Sequence, residues 1–355
     1  MRRILILLLT VGLGVAACNA SDDDNADGVG VSNGETAATV TLVTHDSFLV
    51  SDSVLEEFTE DTGIGVEIVP AGDAGSALSQ VILTKDDPIG DAFFGVDTTF
   101  LSRALDEDIF AEYESSALDE VPDELEVDPH VTPVDHGDVC INYDRAAFTD
   151  TPPPTTLTDL TDPAYAGRLV VENPASSSPG LAFALATIAE FGEDGWLDYW
   201  EELRANDVLV VDGWEQAYNE EFSGGPNAGP RSLVVSYASS PPASVDPDAE
   251  PLPDQAPIGT VLGSCFRQVE YVGVLEGAAH PEAARRLVDF MLSPTFQADV
   301  ASSMYVFPVR TGVELPDLFD RYAELPDDPY TLEPDEITPD QREEWIEQWT
   351  DAVVR

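Results

Sequence analysis

The chain has 355 residues, with 69 Asp and Glu against 15 Lys and Arg, and a formal net charge of −54. A surface this acidic repels phosphate backbones, which excludes nucleic acid as a partner. Hydrophobic residues make up 43% and aromatics 8%, enough to build cores, so the charge does not belong to a disordered chain. Lys85 is the only lysine. At molar salt the Debye length falls to about 3 Å and self-repulsion is screened. The acid excess therefore reads as the solvated surface of a protein adapted to high salt, with a halophilic archaeal source expected.

Arg2 and Arg3 precede an apolar run from Ile4 to Leu13, and Val15-Ala16-Ala17 lead into Cys18. A charged start, a short apolar middle and a small-residue exit form a secretory signal. The run is shorter than the roughly 20 residues that span a bilayer. The cysteine after small residues resembles a lipoprotein lipobox, which implies lipidation of Cys18 and attachment to the outer face of the cell membrane. Residues 19–36 are acidic and polar, and are expected to form a disordered tether. One acyl chain binds reversibly, so a second is expected to share the anchoring.

The rest of the chain, about 320 residues, is long for one core and natural for two lobes. Residues 38–48 (ATVTLVTHDSF) begin as a buried β-branched strand and end at a polar tip. Asp52 to Glu60 reads as a helix with Val54, Leu55 and Phe58 on one face. A second strand follows at GVEIVP, then a Gly-rich turn and a helix carrying Leu78, Val81 and Ile82 inward. DAFFGVDTTFLSRALD gives a third strand, a turn at Asp97 and a third helix. Three such units imply a parallel sheet with helices on its faces. Ligands bind beyond the carboxyl ends of such strands, so His45-Asp46-Ser47, Asp73 to Ser76 and Asp97-Thr98 are expected at one crevice.

The middle repeats the pattern. RLVVENP is a strand, SSSPGLAFALATIAEF a turn into a helix with Ser178 as N-cap and Pro179 at N1, and VLVVDGWEQAY a strand into a helix. SLVVSYASSPP is a further strand with an aromatic tip. HVTPVDHGDVCINYD and SCFRQVEYVGVL are extended segments that flank this block, as the outgoing and returning crossovers between two lobes. Residues 282–292 (EAARRLVDFML) form a helix finishing the first lobe, and 342–353 (REEWIEQWTDAV) a terminal helix docked by its tryptophans.

THDSF, the GVD tip, VDHGDVCINYD, NPASSSPGLAF, DGWEQAYNEEF, LVVSYASSP and PEAARRLVDFMLSPTFQ together resemble the thiamine-binding solute receptors of ABC importers. That family lies within the bilobal extracellular binding proteins of the ferric-iron and spermidine type. The resemblance covers residues 39–355, and the ordered set SSSPGLAF, GWEQAY and SYASSP is its most specific part. It implies an α/β fold of the type II periplasmic-binding-protein kind, with two lobes, each with a mixed, mostly parallel sheet, joined by two crossover strands. Lobe 1 is expected at 37–136 plus 273–306, and lobe 2 at 137–272 plus 307–355. It also implies a monomer that uses no cofactor and hands thiamine or its phosphates to a permease and its ATPase. Cys140 and Cys265 lie on the two crossovers, neighbours in such receptors, and as an even pair outside the cell are expected to form a disulfide.

Thiamine offers a fixed cation, an aminopyrimidine ring and a hydroxyethyl arm. Trp214, Tyr218 and Tyr237 supply flat walls and π faces for the rings. Asp73, Asp97 and Asp135 are candidate partners for the cation or the amino group, and His45 and Asp46 sit at the first strand tip. Ser177, Ser178 and Gly180 open a helix whose N–H groups suit a hydroxyl or phosphate, and Ser76 opens another. The chain departs from the family at His45, in LVSDS and in PPASV, where aromatics are common. A polyamine, another organic cation or a metal ion is the alternative cargo, though no Tyr-Tyr pair of the ferric type occurs. Nothing marks an enzyme: HExxH and P-loop motifs are absent, the GxSxG match Gly30-Val31-Ser32-Asn33-Gly34 falls in the expected tether rather than at a strand-to-helix turn, and His45, His130, His136 and His280 are scattered. A secreted hydrolase built on an acidic pair is the remaining alternative.

Overall fold

The computed structural model describes residues 38–332 and 337–355. The signal segment, Cys18 and the 19–36 tether lie outside the described residues. The first part runs β1 (Thr39–Thr44), α1 (Asp52–Thr62), β2 (Gly65–Pro70), α2 (Ala74–Leu83), β3 (Ala92–Asp97) and α3 (Leu101–Asp106). A long strand β4 (Thr132–Asp144) then leads to β5 (Leu169–Glu172), α4 (Ser178–Phe191), α5 (Trp196–Ala205) and β6 (Leu209–Val211). After α6 (Trp214–Gln216), which continues as a π-turn over Ala217–Glu221, come β7 (Leu233–Tyr237) and the longest strand, β8 (Ile258–Val274). The chain closes with α7 (Pro281–Met291), α8 (Pro294–Ser303), β9 (Phe307–Pro308), α9 (Asp317–Tyr322) and α10 (Pro339–Val353).

All nine strands join one hydrogen-bonded sheet in the order β2-β1-β3-β8-β4-β7-β5-β6, with β9 on β4. β1 pairs in parallel with β2 and β3, as the three βα units require. β5 likewise pairs in parallel with β6 and β7. Between these parallel halves run β8 and β4, antiparallel to each other and to their flanking strands. The crossovers are thus strands long enough to belong to both halves, which makes two lobes share one ladder. Cys140 of β4 and Cys265 of β8 are disulfide-bonded, 125 residues apart in sequence. In the chain-entropy picture, closing so long a loop stabilises by roughly 4–5 kcal/mol.

Several helix ends differ from expectation by one to three residues. Ser177, not Ser178, caps α4, its Oγ accepting from Gly180 N at 3.4 Å. Both residues are serine, and the side chain that turns back to the N–H decides. α10 starts three residues early, at Pro339, because Thr338 caps it. Three of the described helices, α5, α8 and α9, were not expected from the sequence. α5 carries its signal plainly, since Trp196, Tyr199, Trp200 and Leu203 recur at helical spacing and are all buried. α8 opens with Ser293 as N-cap and Pro294 at N1, the pair that marks helix starts elsewhere in this chain.

α10 docks on α5 through aromatic contacts. Trp349 meets Trp200 edge to face with centroids 5.3 Å apart, and the Trp200 indole N–H donates to Thr187 Oγ1 at 3.0 Å. Trp349 is fully buried. Trp349→Ala should therefore cost about 3–5 kcal/mol, read as a lowered midpoint in denaturant unfolding at fixed salt. An unchanged midpoint would mean that α10 contributes nothing to the core.

Candidate functional site

β1 ends at Thr44, so His45, Asp46 and Ser47 form a turn at its tip. The His45 ring lies 5.5 Å from that of Phe94. Gly95 permits this, having φ +107° and standing where a Cβ would come 2.5 Å from His45 Cδ2. Burial lowers the His45 pKa to about 4, so the imidazole is neutral at pH 7. Its Nε2 sits 3.5 Å from Glu270 Oε1.

Asp73 caps α2 and does more than cap. Its carboxylate accepts from Ala74 N at 2.7 Å, from Trp214 N at 2.9 Å and from Ser178 N at 3.3 Å. One side chain from the first half thus holds the openings of α4 and α6 in the second. Burial raises its pKa to about 6, while the hydrogen bonds from Trp214 and Ala74 oppose the rise. Two more bonds join the halves nearby. Ser76 N donates to Ser176 O at 3.2 Å, and Ser47 Oγ donates to Glu215 Oε1 at 3.0 Å.

Between the halves lies a cavity of about 680 Å³. Six of the expected residues line it: His45, Asp73, Ser178, Trp214, Tyr218 and Tyr237. Trp214 and Tyr218 are stacked, with centroids 4.9 Å apart and planes inclined by 18°. The indole N–H donates to Ser236 Oγ at 3.0 Å, which fixes the ring. Glu215, held by Ser47 and by Asn219 Nδ2, and Glu270 add carboxylates to the wall. Among the described residues, no lysine or arginine lines the cavity. Two flat faces and an acidic surround suit a planar organic cation. Among the described residues, no group of three His, Cys, Asp or Glu is arranged to hold a metal ion.

The other six expected residues are not at the cavity wall. Asp97 is buried and closes the turn that leads into α3, accepting from Thr99 N, Thr99 Oγ1 and Phe100 N at 2.9, 2.7 and 3.1 Å. Gln268 Nε2 also donates to it. Asp135 is likewise buried, opposite Glu270 in the β4–β8 register. Asp46 is exposed at the β1 tip, and its N–H donates to Gly72 O. Ser76 serves the contact between halves. Ser177 and Gly180 bond each other at the start of α4, and a Cβ on Gly180 would meet Glu172 O at 2.7 Å. Gly180 therefore allows helix and strand to pack closely. With Ser178 N given to Asp73, this helix start spends its donors on protein groups.

Several lining residues escaped the sequence reading. Glu270 sits inside an apolar strand run, where one more acid in a chain of 69 gives no signal. Burial, and then its neighbour Asp135, push the Glu270 pKa well above the ordinary carboxylate value, and burial raises that of Asp135 as well. Met304 and Tyr305 close the cavity from the end of α8, and Tyr305 has φ +57°, a conformation that costs a bulky residue energy and tends to persist at ligand sites.

The folding pattern is that of the periplasmic binding proteins, type II. The bacterial extracellular solute-binding protein family matches residues 87–327, more than half of the chain, and the chain belongs to that family. Among curated proteins it is 28% identical over 323 residues to the thiamine-binding periplasmic protein of Salmonella typhimurium, covering 89% of this chain and 94% of that one. It is 27% identical to the Escherichia coli protein of the same name, over 89% and 94% of the two chains. A solved periplasmic thiamin binding protein superposes with a TM-score of 0.78 at 26% identity, covering 89% of this chain and 96% of that one. Iron-bound HitA from Pseudomonas aeruginosa superposes at 0.67 with 20% identity, over 89% and 99% of the chains, a likeness of fold alone. The protein is thus a solute-binding component of ABC import, a class that binds a small ligand outside the cytoplasm and delivers it to permease and ATPase subunits.

Burial raises the Asp97 pKa to about 6 from 3.8. The folded state then holds the proton more tightly than the unfolded chain, so this group's stabilisation is full below about pH 3.8 and is lost as pH rises through 6. His45, lowered to about 4, works in the opposite sense, so a difference curve is needed. Asp97→Asn should gain on the order of 2 kcal/mol relative to the unsubstituted protein between pH 4 and pH 7, measured by denaturant unfolding across that range. Parallel curves would show that Asp97 titrates as an ordinary carboxyl.

Proposed function

We propose that this protein captures thiamine or a thiamine phosphate in the 680 Å³ cavity and presents it to an ABC permease. The observation that carries this reading is the stacked Trp214–Tyr218 pair at a cavity lined by Asp73, Glu215 and Glu270 and, among the described residues, by no lysine or arginine. The thiazolium and pyrimidine rings need flat faces, and the cation needs a π surface or an acid. The relatives at 28% and 27% identity are thiamine-binding proteins, which supports the same cargo.

In this reading residues 37–136 with 273–306 move as one lobe and 137–272 with 307–355 as the other. Ligand contacts with both lobes drive closure about β4 and β8. The protein works as a monomer in high salt on the outer face of the membrane, held by a lipid on Cys18 and a tether at 19–36.

Titration of the mature protein with thiamine in multimolar KCl, followed by tryptophan fluorescence, tests the cargo. Saturable quenching at micromolar or lower concentration is expected. Trp214→Ala should weaken binding roughly 2- to 30-fold, the range for one desolvated cation–π contact. A folded protein that ignores thiamine but responds saturably to spermidine would replace thiamine with a polyamine.

A further inference from the structure

A second cavity, of about 420 Å³, lies where α2, α3 and the β5–α4 loop meet α10. Its chemistry is the reverse of the first. Arg103, Arg342 and Arg355 line it, three of only 15 basic residues in the chain. Arg355 is engaged by Asp351. The other two are not neutralised in this way. Arg103 NH1 donates to Ser79 Oγ at 3.1 Å, and no ion pair forms at Arg103 among the described residues.

Arg342 is 1% exposed. Its Nε and NH1 have no hydrogen-bond partner among the described residues, and NH2 reaches Glu343 Oε1 only at 3.7 Å, a carboxylate that is itself largely exposed. The guanidinium lies over the Phe100 ring, 5.7 Å from its centroid. Burial and the neighbouring Arg103 both press its pKa down, to about 10, so it remains charged at neutral pH. Two guanidinium groups thus share a buried pocket, in a chain that has acids to spare. Leaving such donors unpaired costs several kcal/mol.

We propose that Arg103 and Arg342 form a binding site for a small inorganic anion, a halide or a tetrahedral oxyanion, distinct from the ligand cavity. Planar forks of this kind bind anions through paired N–H donors. Glu343 and Glu347 at the rim disfavour large or highly charged anions. The site braces the two halves. A Cβ on Gly75 of α2 would stand 2.8 Å from Phe100 and within 3.0 Å of the Ser176 and Ala175 carbonyls, so the anion would sit beside a close backbone contact between them. The inference is independent of the cargo.

Thermal unfolding of the mature protein at constant ionic strength tests it, replacing potassium gluconate stepwise by chloride and, separately, by inorganic phosphate. The melting temperature should stay flat until the anion exceeds its dissociation constant and then rise by about 2 °C per tenfold increase. The anion whose rise begins at the lower concentration identifies the halide or oxyanion source. Arg103 is only partly buried, so Arg103→Gln should fold and should lose the dependence on both anions. If that variant follows the unsubstituted protein in both titrations, the effect is a general salt effect and the site does not exist.

Discussion

β4 and β8 are hydrogen-bonded to each other along most of their length, and each is also paired with a different half of the molecule. That double membership governs what lies at the base of the cavity. Register puts Glu270 of β8 opposite both Asp97 of β3 and Asp135 of β4. Three acids therefore meet across three adjacent strands in a largely dry sheet. Ionising all of them would be prohibitive, and the structure responds in two ways. Asp97 is surrounded by donors from Thr99, Phe100 and Gln268, while burial raises the pKa of both Glu270 and Asp135 and so favours their protonated forms. The disulfide between Cys140 and Cys265 ties the same two strands, so the acids and the crosslink share one rigid support.

Around that support the two halves touch through few polar contacts, and Asp73 is central to them. It unites the start of α2 with the starts of α4 and α6, so closing the halves and shaping the aromatic wall are one event. The same carboxylate explains why the α4 start is not an anion site, since Asp73 already takes the Ser178 N–H. Phosphate on the hydroxyethyl arm of thiamine would then have to be met elsewhere in the cavity.

Much of this was legible in the chain, and the gaps have physical causes. Strand–helix alternation is local, so the three βα units, the crossovers and the tips at His45 and Asp73 follow from periodicity. The aromatic wall was legible because Trp214 and Tyr218 are one helical turn apart after a strand. Length and the two extended segments suggested two lobes, the resemblance supplied their bounds, and an even cysteine pair outside the cell, on crossovers that neighbour each other in such receptors, pointed to the disulfide. What stayed hidden is set by register and by contacts between distant segments. Glu270 and Asp135 are 135 residues apart in numbering, and Arg103 and Arg342 share a cavity only after folding. The acid excess also masks signal, because Asp46, Asp97 and Asp135 look like cavity ligands until burial and hydrogen bonding assign them to turns and sheet.

The central claim is that a small ligand is enclosed by two halves that pivot on the β4–β8 pair. Small-angle X-ray scattering of the mature protein, with and without saturating thiamine at one salt concentration, tests this most directly. The account expects a smaller radius of gyration in the thiamine-bound protein. An unchanged radius, with binding established in the same sample, would contradict closure and leave the cavity as a preformed pocket.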